Sequence, residues 1–576
     1  MATSSGISGV TSYYQPSITF SGLGSSVDFQ SIIDKLVSVE SASINRYESW
    51  KSEWNDKITA LETLNTKLTD FRTLAASMDT LTQFVDKTAA SSDTSVLTVS
   101  ASTTASSGTH SVLVNQLAQN EVEAHQGLAA STTVINSSGS AKVFAFSYAG
   151  GAAVSISVAD GATLADLASA INSSGANPGV TATVMDMGAS YGATRYRLLL
   201  QGKDTGSTNS ITIDDALTTL DGTGGTENFE STTFTQTQAA QDAQIRVDGY
   251  PPGTWIERST NTISDVITGV TLKLVSSSAT AVQVTITDDT SAMQDKIESL
   301  VEQYNDVVAN IKEQTKYDST TGQAGILLGN YAVEIVKSAL NSIGTGNAPG
   351  FQDPDDPYLN LAMIGITTDS DESSDTFGQL LIDDTALEEA LNDNPDGVAN
   401  LMAAYFQGVS DDTSGNITYY SAIPGITEPG IYEVTATVSG GVLTGGTING
   451  HAATISGDTL TGQSGYPEYG LAVKINLVDG NYSGTVRLQM GKSGQFSEKL
   501  DDLLSVTSGP LNILINNYQD IIDSIDEKIE AEQRRVDGIR SRLTTQFANV
   551  DSILSTLNQQ SEYLSQQLAK LNNNSS

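Results

Sequence analysis

Cysteine is absent from this 576-residue chain, and histidine occurs only three times. Without a thiol there is no structural disulfide and no thiolate nucleophile, and zinc loses its commonest soft ligand. Cations are scarce too: 28 Lys plus Arg stand against 67 Asp plus Glu, a formal net charge of −39. Each phosphate contact needs a cation, so no nucleic acid and no anionic membrane surface is expected as a partner. Apolar runs are short of the roughly 18 residues that span a bilayer, so no membrane insertion is expected. The first 30 residues hold no Lys, no Arg and no continuous apolar stretch, so no cleavable secretory signal is visible.

What remains is polar but weakly charged. Only 16% of residues are charged, which separates the chain from acidic disordered tails. Its length exceeds one core, and about three to five domains are expected. Ser, Thr, Asn and Gln with 50 Gly suit exposed β-rich domains.

Helical spacing marks both ends. In "SGLGSSVDFQSIIDKLVSVE" (21–40), Phe29, Ile32, Ile33, Leu36 and Val37 form one apolar stripe. Ser25 to Asp28 fits a loose capping pattern, and Asp28 suits the positive end of a helix dipole. Nothing nearby in sequence offers that stripe a core. Tyr47, Trp50, Trp54, Ile58 and Leu61 continue the three- and four-residue steps to Leu81, with a break expected near 41–43. From about residue 510, Tyr518, Ile522, Ile525, Ile529, Val536, Ile539, Leu543, Phe547, Val550, Leu554, Leu557, Leu564, Leu568 and Leu571 follow near-heptad spacing. Two successive four-residue steps at 539, 543 and 547 resemble a stutter.

Between the ends the period changes. Alternation in "VLTVSAS" and "HSVLVNQLAQ" predicts strands from about residue 90. Helix returns over Met293, Ile297, Leu300, Val301, Tyr304, Val307, Val308 and Ile311. "GIYEVTATVSGG" and "LAVKINLVDG" predict a small β domain inserted within helical sequence.

The expected fold is therefore α+β and multidomain. A discontinuous helical leg combines 45–89, 289–406 and 496–545, with flexible or helical ends at 1–44 and 546–576. A β domain combines 90–130 with 240–288, a head domain is inserted at 131–239, and a further β domain at 407–495. Tyr47, Trp50, Trp54, Ile58, Leu61, Ile525, Ile529 and Val536 are expected to pack the leg. The outermost stripes, within 28–40 and 550–571, lack an obvious core, which leaves both an external partner and packing of the two chain ends on each other open.

No catalytic constellation emerges. His110, His125 and His451 lie far apart in sequence and read as surface or loop residues. "GLGSSV" has Val27 where a dinucleotide fingerprint needs glycine, and "MGKSG" lacks the first glycine of a phosphate loop. "DSDESSD" at 369–375 lacks the glycine and closing Glu of a calcium loop. No enzyme activity, cofactor or metal is expected.

In order along the chain, several stretches resemble the bacterial flagellar filament-capping (hook-associated protein 2) family. They include "SGLGSSVDFQSIIDKLVSVE", "FVDKTAASSDTSVLTVSASTTASSGTHSVLVNQLAQ" (84–119) and "AQDAQIRVDGY". "VEQYNDVVANI", "GQLLIDDTALEEAL" and "QFANVDSILSTLNQQSEYLSQQL" follow. "GATLADLASAINSSGANPGVTATV" (161–184) is similar to a repeat shared by flagellins and hook-associated proteins. Ser26 replaces a usual glycine, and 407–490 is longer than the minimal pattern. The resemblance implies a secreted homo-oligomeric ring at the extracellular filament tip, retaining exported flagellin and promoting its insertion. It implies that Phe29, Ile32, Ile33, Leu36, Val37, Val550, Leu554, Leu557, Leu564 and Leu568 contact the filament end, ordering on binding. It also implies a flagellar export chaperone on the C-terminal helix. A secreted adhesin with glycan- or partner-binding β domains, or a hook–filament junction protein, is the alternative.

Overall fold

The computed structural model describes residues 28–318 and 321–573. The Ser25 capping pattern, Ser26 and the rest of 1–27 lie outside the described residues, as does the Leu571 side chain.

The chain opens with α1 (Phe29–Glu40), whose N-cap Asp28 accepts a hydrogen bond from the Ser31 amide at 3.0 Å. Ser41 separates it from α2 (Ala42–Ala76), and the short α3 (Leu81–Phe84) follows. α4 (Leu164–Ser173) belongs to the head and carries a capping box between Thr163 and Asp166. α5 (Thr290–Thr315), α6 (Tyr331–Thr345), α7 (Asp384–Asp393), α8 (Pro395–Ala403) and α9 (Lys492–Leu504) lead to α10 (Pro510–Asn573). At 1.5 Å per residue, the 64 residues of α10 extend about 96 Å.

Sequence distance does not organise the helical core. Leu61, Leu64, Leu68 and Phe71 of α2 meet Ile297 and Tyr304 of α5, Val336 of α6, Leu401 of α8, and Phe496 and Leu500 of α9. Phe71, Tyr304 and Phe496 form a ring triangle with centroids 5.0 to 6.3 Å apart. The buried Lys492 donates to the carbonyls of Ile343 (2.7 Å) and Gly346 (2.6 Å), closing the C-terminus of α6. Burial pushes its ammonium down to about 8.

Three antiparallel β units are nested into this helical frame. The first pairs strands in the order 87–91, 282–288, 108–116, 243–247 and 256–258, against a second sheet of 262–267, 270–274 and 97–101. Val112, Val114, Ile245, Leu272 and Val284 fill the space between. The second lies inside the first: 234–238, 122–125, 196–202 and 180–186 form one sheet, and 154–158, 142–148 and 211–213 the other. Phe144, Phe146 and Phe229 dominate its core. The third, inserted between α8 and α9, pairs 407–410, 480–489, 430–439, 442–448 and 451–452. Its second sheet is 417–421, 472–475, 459–461 and 454–456. Strand 430–439 alternates exposed and buried residues along most of its length, as a sheet with one wet face requires. Gly408 is needed at the crossing of the two sheets, since a Cβ there would sit 2.2 Å from the Tyr419 ring. Among the described residues, no helix is long and apolar enough to cross a membrane.

Candidate functional site: the paired helices of the chain ends

The two chain ends come together through α10. It runs antiparallel to α1 and α2: Asn512 faces Asn65, Asp526 faces Lys51, Glu532 faces Ser43 and Phe547 faces Phe29. Ile58 and Leu61 of α2, and Ile525 and Val536 of α10, are buried, while Ile529 is half-buried. Trp54 packs tilted against Tyr518, 4.8 Å between centroids and 58° between planes, with the Lys57 ammonium 4.2 Å over its ring. Tyr47 is half-buried. Trp50 departs from the expected packing: it is 51% exposed, because α10 lies against the neighbouring side of α2.

The expectation that the whole opening stripe is left without a core is corrected for Phe29, Ile33 and Val37. All three are buried, against Val536, Ile529, Leu543 and Phe547 of α10. Their missing core lay some 500 residues downstream. Ile32 and Leu36 stay exposed on the flank of the same helix. Ion pairs hold α1 in place: Arg535 bonds Glu40 at 2.7 Å and Glu532 at 2.8 Å, and Arg540 meets Asp34 at 3.0 Å. Bonding to Arg535 keeps the Glu532 carboxyl below its ordinary range, and Glu40 and Glu532 hold the Arg535 guanidinium up. Sequence periodicity could not find these pairs; the only signal was four arginines within 534–542 of a cation-poor chain.

Beyond Phe547 most of the apolar seam on α10 is exposed, although Asp551 beside it is buried. Val550, Leu557, Leu564 and Leu568 are exposed and Leu554 is half-buried. Ile553 and Tyr563, which the heptad count passed over, are exposed as well.

No reacting centre competes with this seam. The three histidines sit in three different β units, and each has a local partner. His110 bonds Asp248 at 2.8 Å and lowers that carboxyl's pKa. His125 is fully buried, contrary to the expected surface placement. It stacks on Phe229 at 4.3 Å and sits 2.9 Å from the Asn228 carbonyl, and its burial pushes the imidazole pKa down. His451 pairs with the buried Glu468 at 2.6 Å and stacks on Tyr466. Among the described residues, no group of three or more His, Asp or Glu is placed to hold a metal. A cavity of about 620 Å³ between α5, α6 and the 368–378 loop is lined by Tyr304, Glu334, Lys337 and Asp369, with no nucleophile beside a base.

The third β unit is fixed to the helices by a buried charge cluster. Arg487 bonds Asp411 at 2.8 Å and 3.0 Å, and also Asp356, to which Gln489 donates at 2.8 Å. This holds the inserted unit in one orientation at the frame.

Three family models match the chain. Flagellar hook-associated protein 2 N-terminus covers 25–121, flagellin hook IN motif covers 143–204, and flagellar hook-associated protein 2 C-terminus covers 240–559. Flagellar hook-associated protein 2 of Escherichia coli is 28% identical over 440 residues, 73% of this chain and 88% of that one. The B-type flagellar hook-associated protein 2 of Pseudomonas aeruginosa is 28% identical over 413 residues, 67% of this chain and 80% of that one. The crystal structure of the flagellar cap protein FliD D1-D2-D3 domains from Escherichia coli covers 80% of this chain and 99% of its own. There the identity is 23% and the TM-score 0.47.

Proposed function

The chain belongs to the flagellar hook-associated protein 2 family, and from that premise we propose how it works as the cap of the flagellar filament. The cap is an oligomer associated with the filament, and its role is structural. Identical copies form a ring at the extracellular tip, with the β units as the plate and the paired helices as legs reaching the filament end. Flagellin arriving through the channel is held under the plate until it folds into the next lattice position.

The observation that carries this reading is the open seam at 550–568. An apolar row on a helix that stays exposed among the described residues is a docking surface. The same row would need masking before export, so a flagellar export chaperone on this helix belongs to the proposal. Phe29, Ile33 and Val37 act indirectly, by holding α1 on α10, while Ile32, Leu36, Leu557, Leu564 and Leu568 make the contact.

The test is Leu557→Ser, Leu564→Ser and Leu568→Ser together. Each buried Leu is worth roughly 1.5–3 kcal/mol, so the filament contact loses several kcal/mol. The isolated protein should unfold at the wild-type temperature, and cells carrying the variant should leak unpolymerised flagellin into the medium. Normal capping by this variant would remove the seam from the mechanism.

A further inference from the structure

α1 and α2 carry a second row of side chains that α10 leaves uncovered. It holds Ile32, Val39, Arg46 and Glu53 at seven-residue steps, with Leu36 and Trp50 beside them; Ser43 and Lys57, in register with the last two, instead meet Glu532 of α10 and the Trp54 ring. Ser41 keeps a near-helical backbone (φ −75°, ψ −6°) and its N–H bonds the Val37 carbonyl, so register carries from one helix to the next. A seven-residue step is the period of a coiled-coil seam. One seam, through Ile33, Val37 and Ile44, is already spent on α10. In the second row Ile32, Leu36, Val39 and Trp50 are 39%, 45%, 72% and 51% exposed.

The charge beside this row points to its occupant. Lys35, Arg46 and Lys57 follow one another at eleven-residue steps, three helical turns apart, along the same side. None of them has a carboxylate partner in an ion pair among the described residues. Other cations of the leg are paired, among them Lys51 with Asp526, Lys67 with Asp306, Arg72 with Asp501, Arg535 with Glu40 and Arg540 with Asp34. Lys337, Lys499, Lys528 and Arg542 also form no ion pair among the described residues, but they are not aligned with this row. Glu53 is the only acid in the row. In a chain of net charge −39, aligned cations with no carboxylate partner, Lys57 among them over the Trp54 ring, form a complementary face for acid.

We propose that this row is a docking seam for a partner's amphipathic helix whose apolar stripe is flanked by carboxylates. A second copy of this chain fits it poorly. The free stripe of α10 at 550–570 is flanked by Ser, Asn and Gln, with only Asp551 and Glu562 as acids and Lys570 opposing them. That flagellin at the filament end supplies the helix rests on the cap reading above; the seam and its charge preference do not.

Two synthetic helices of about four heptads, with Ile and Leu on the seam and either Glu or Lys on both flanks, test the charge preference. Binding to the full-length protein is read by fluorescence anisotropy. The Glu-flanked peptide should bind, weaken as salt rises, and bind at least roughly tenfold tighter than the Lys-flanked one. Lys35→Glu, Arg46→Glu and Lys57→Glu together should invert the preference with circular dichroism unchanged. Failure of the Glu-flanked peptide to bind, equal binding of both peptides, or no response to the reversal would overturn the seam. So would loss of the protein's own oligomer in the reversed variant, which would make the row a contact between copies. Sedimentation with sheared filaments separates the two readings. If wild type binds the peptide and ignores filaments, the cap reading fails and the seam stands. If the reversed variant sediments with filaments as wild type does, flagellin is not the partner.

Discussion

Two β units are inserted into the molecule, at 119–241 and at 407–489, and they are tied down in opposite ways. The later unit is held by charge: Arg487, 4% exposed, sits between Asp411 and Asp356, with Gln489 and Gln352 completing the carboxylates' bonds. The earlier unit is held largely by amides. Asn120 donates to the Gly202 carbonyl at 2.6 Å, Gln238 to the Asn120 carbonyl at 2.7 Å and Gln241 to the Leu117 carbonyl at 2.8 Å. One carboxylate also crosses this junction, Asp242, which accepts from the Ser207 amide and hydroxyl at 2.8 Å and 2.7 Å, while the buried Glu121 bonds the Ile211 amide and Gln236 within the unit. A charge clamp fails all at once when one partner goes, because the other is left buried and alone. An amide seam loses one bond at a time. One junction is built for fixed orientation, the other for graded attachment.

Arg487→Met should break the first junction hardest. Two half-buried carboxylates lose the buried cation between them, and a cost toward the lower end of about 3–5 kcal/mol is expected. Denaturant unfolding should show it, and limited proteolysis should open near 404–407 and 489–492. Replacing Asp356 and Asp411 with Leu in the same variant should restore a large part of the loss. A triple variant as unstable as Arg487→Met alone would mean that packing, not unpaired charge, sets the cost.

At the other junction, Asn120→Ala should cost about 1 kcal/mol, the worth of a typical hydrogen bond. The same should hold for Gln241→Ala, and the double variant should be near additive if the bonds act separately. A collapse of several kcal/mol from either single change would erase the contrast between the junctions.

The smallest effect is a pH response confined to the earlier unit. Burial and the Glu121 carboxylate push Glu123 up to about 7 from 4.5, so the stability it contributes is complete below about pH 4.5 and lost as pH rises through 7. His125 acts in the other direction. Its buried imidazole lies below the ordinary 6.5, so its contribution is present above that value and falls away on acidification. Glu123→Gln should remove the first dependence and leave the second, seen as a melting temperature that rises with pH up to neutrality.

Much of the fold was legible because local period reports local burial. The eight apolar positions from Met293 to Ile311 are the eight buried residues of α5. Thr163 caps α4 as its sequence implies. The candidate site was legible in part. Heptad spacing found the α10 seam, but it could not tell which residues of the opening stripe another helix covers. Phe29 and Ile32 are equally apolar and three positions apart, and only the approach of α10 from one side buries the first and leaves the second exposed. The same geometry exposes Trp50, while His125 is buried by Phe229 and Phe234 in a β unit far from both chain ends in sequence. Period gives a face; only tertiary placement gives its neighbour.

The pairing of α2 with α10 has a kinetic consequence. Asn65 and Asn512 touch across 447 positions of chain, while each β unit closes its own core over a shorter span. Contacts so distant in sequence form late, since the loop entropy between them must be met first. A chain emerging in order from a narrow channel can complete its sheets as they appear, but its leg cannot zip until the last residues have followed. A copy truncated before α10 keeps its β units and the α2–α9 core but lacks the paired helices of the chain ends.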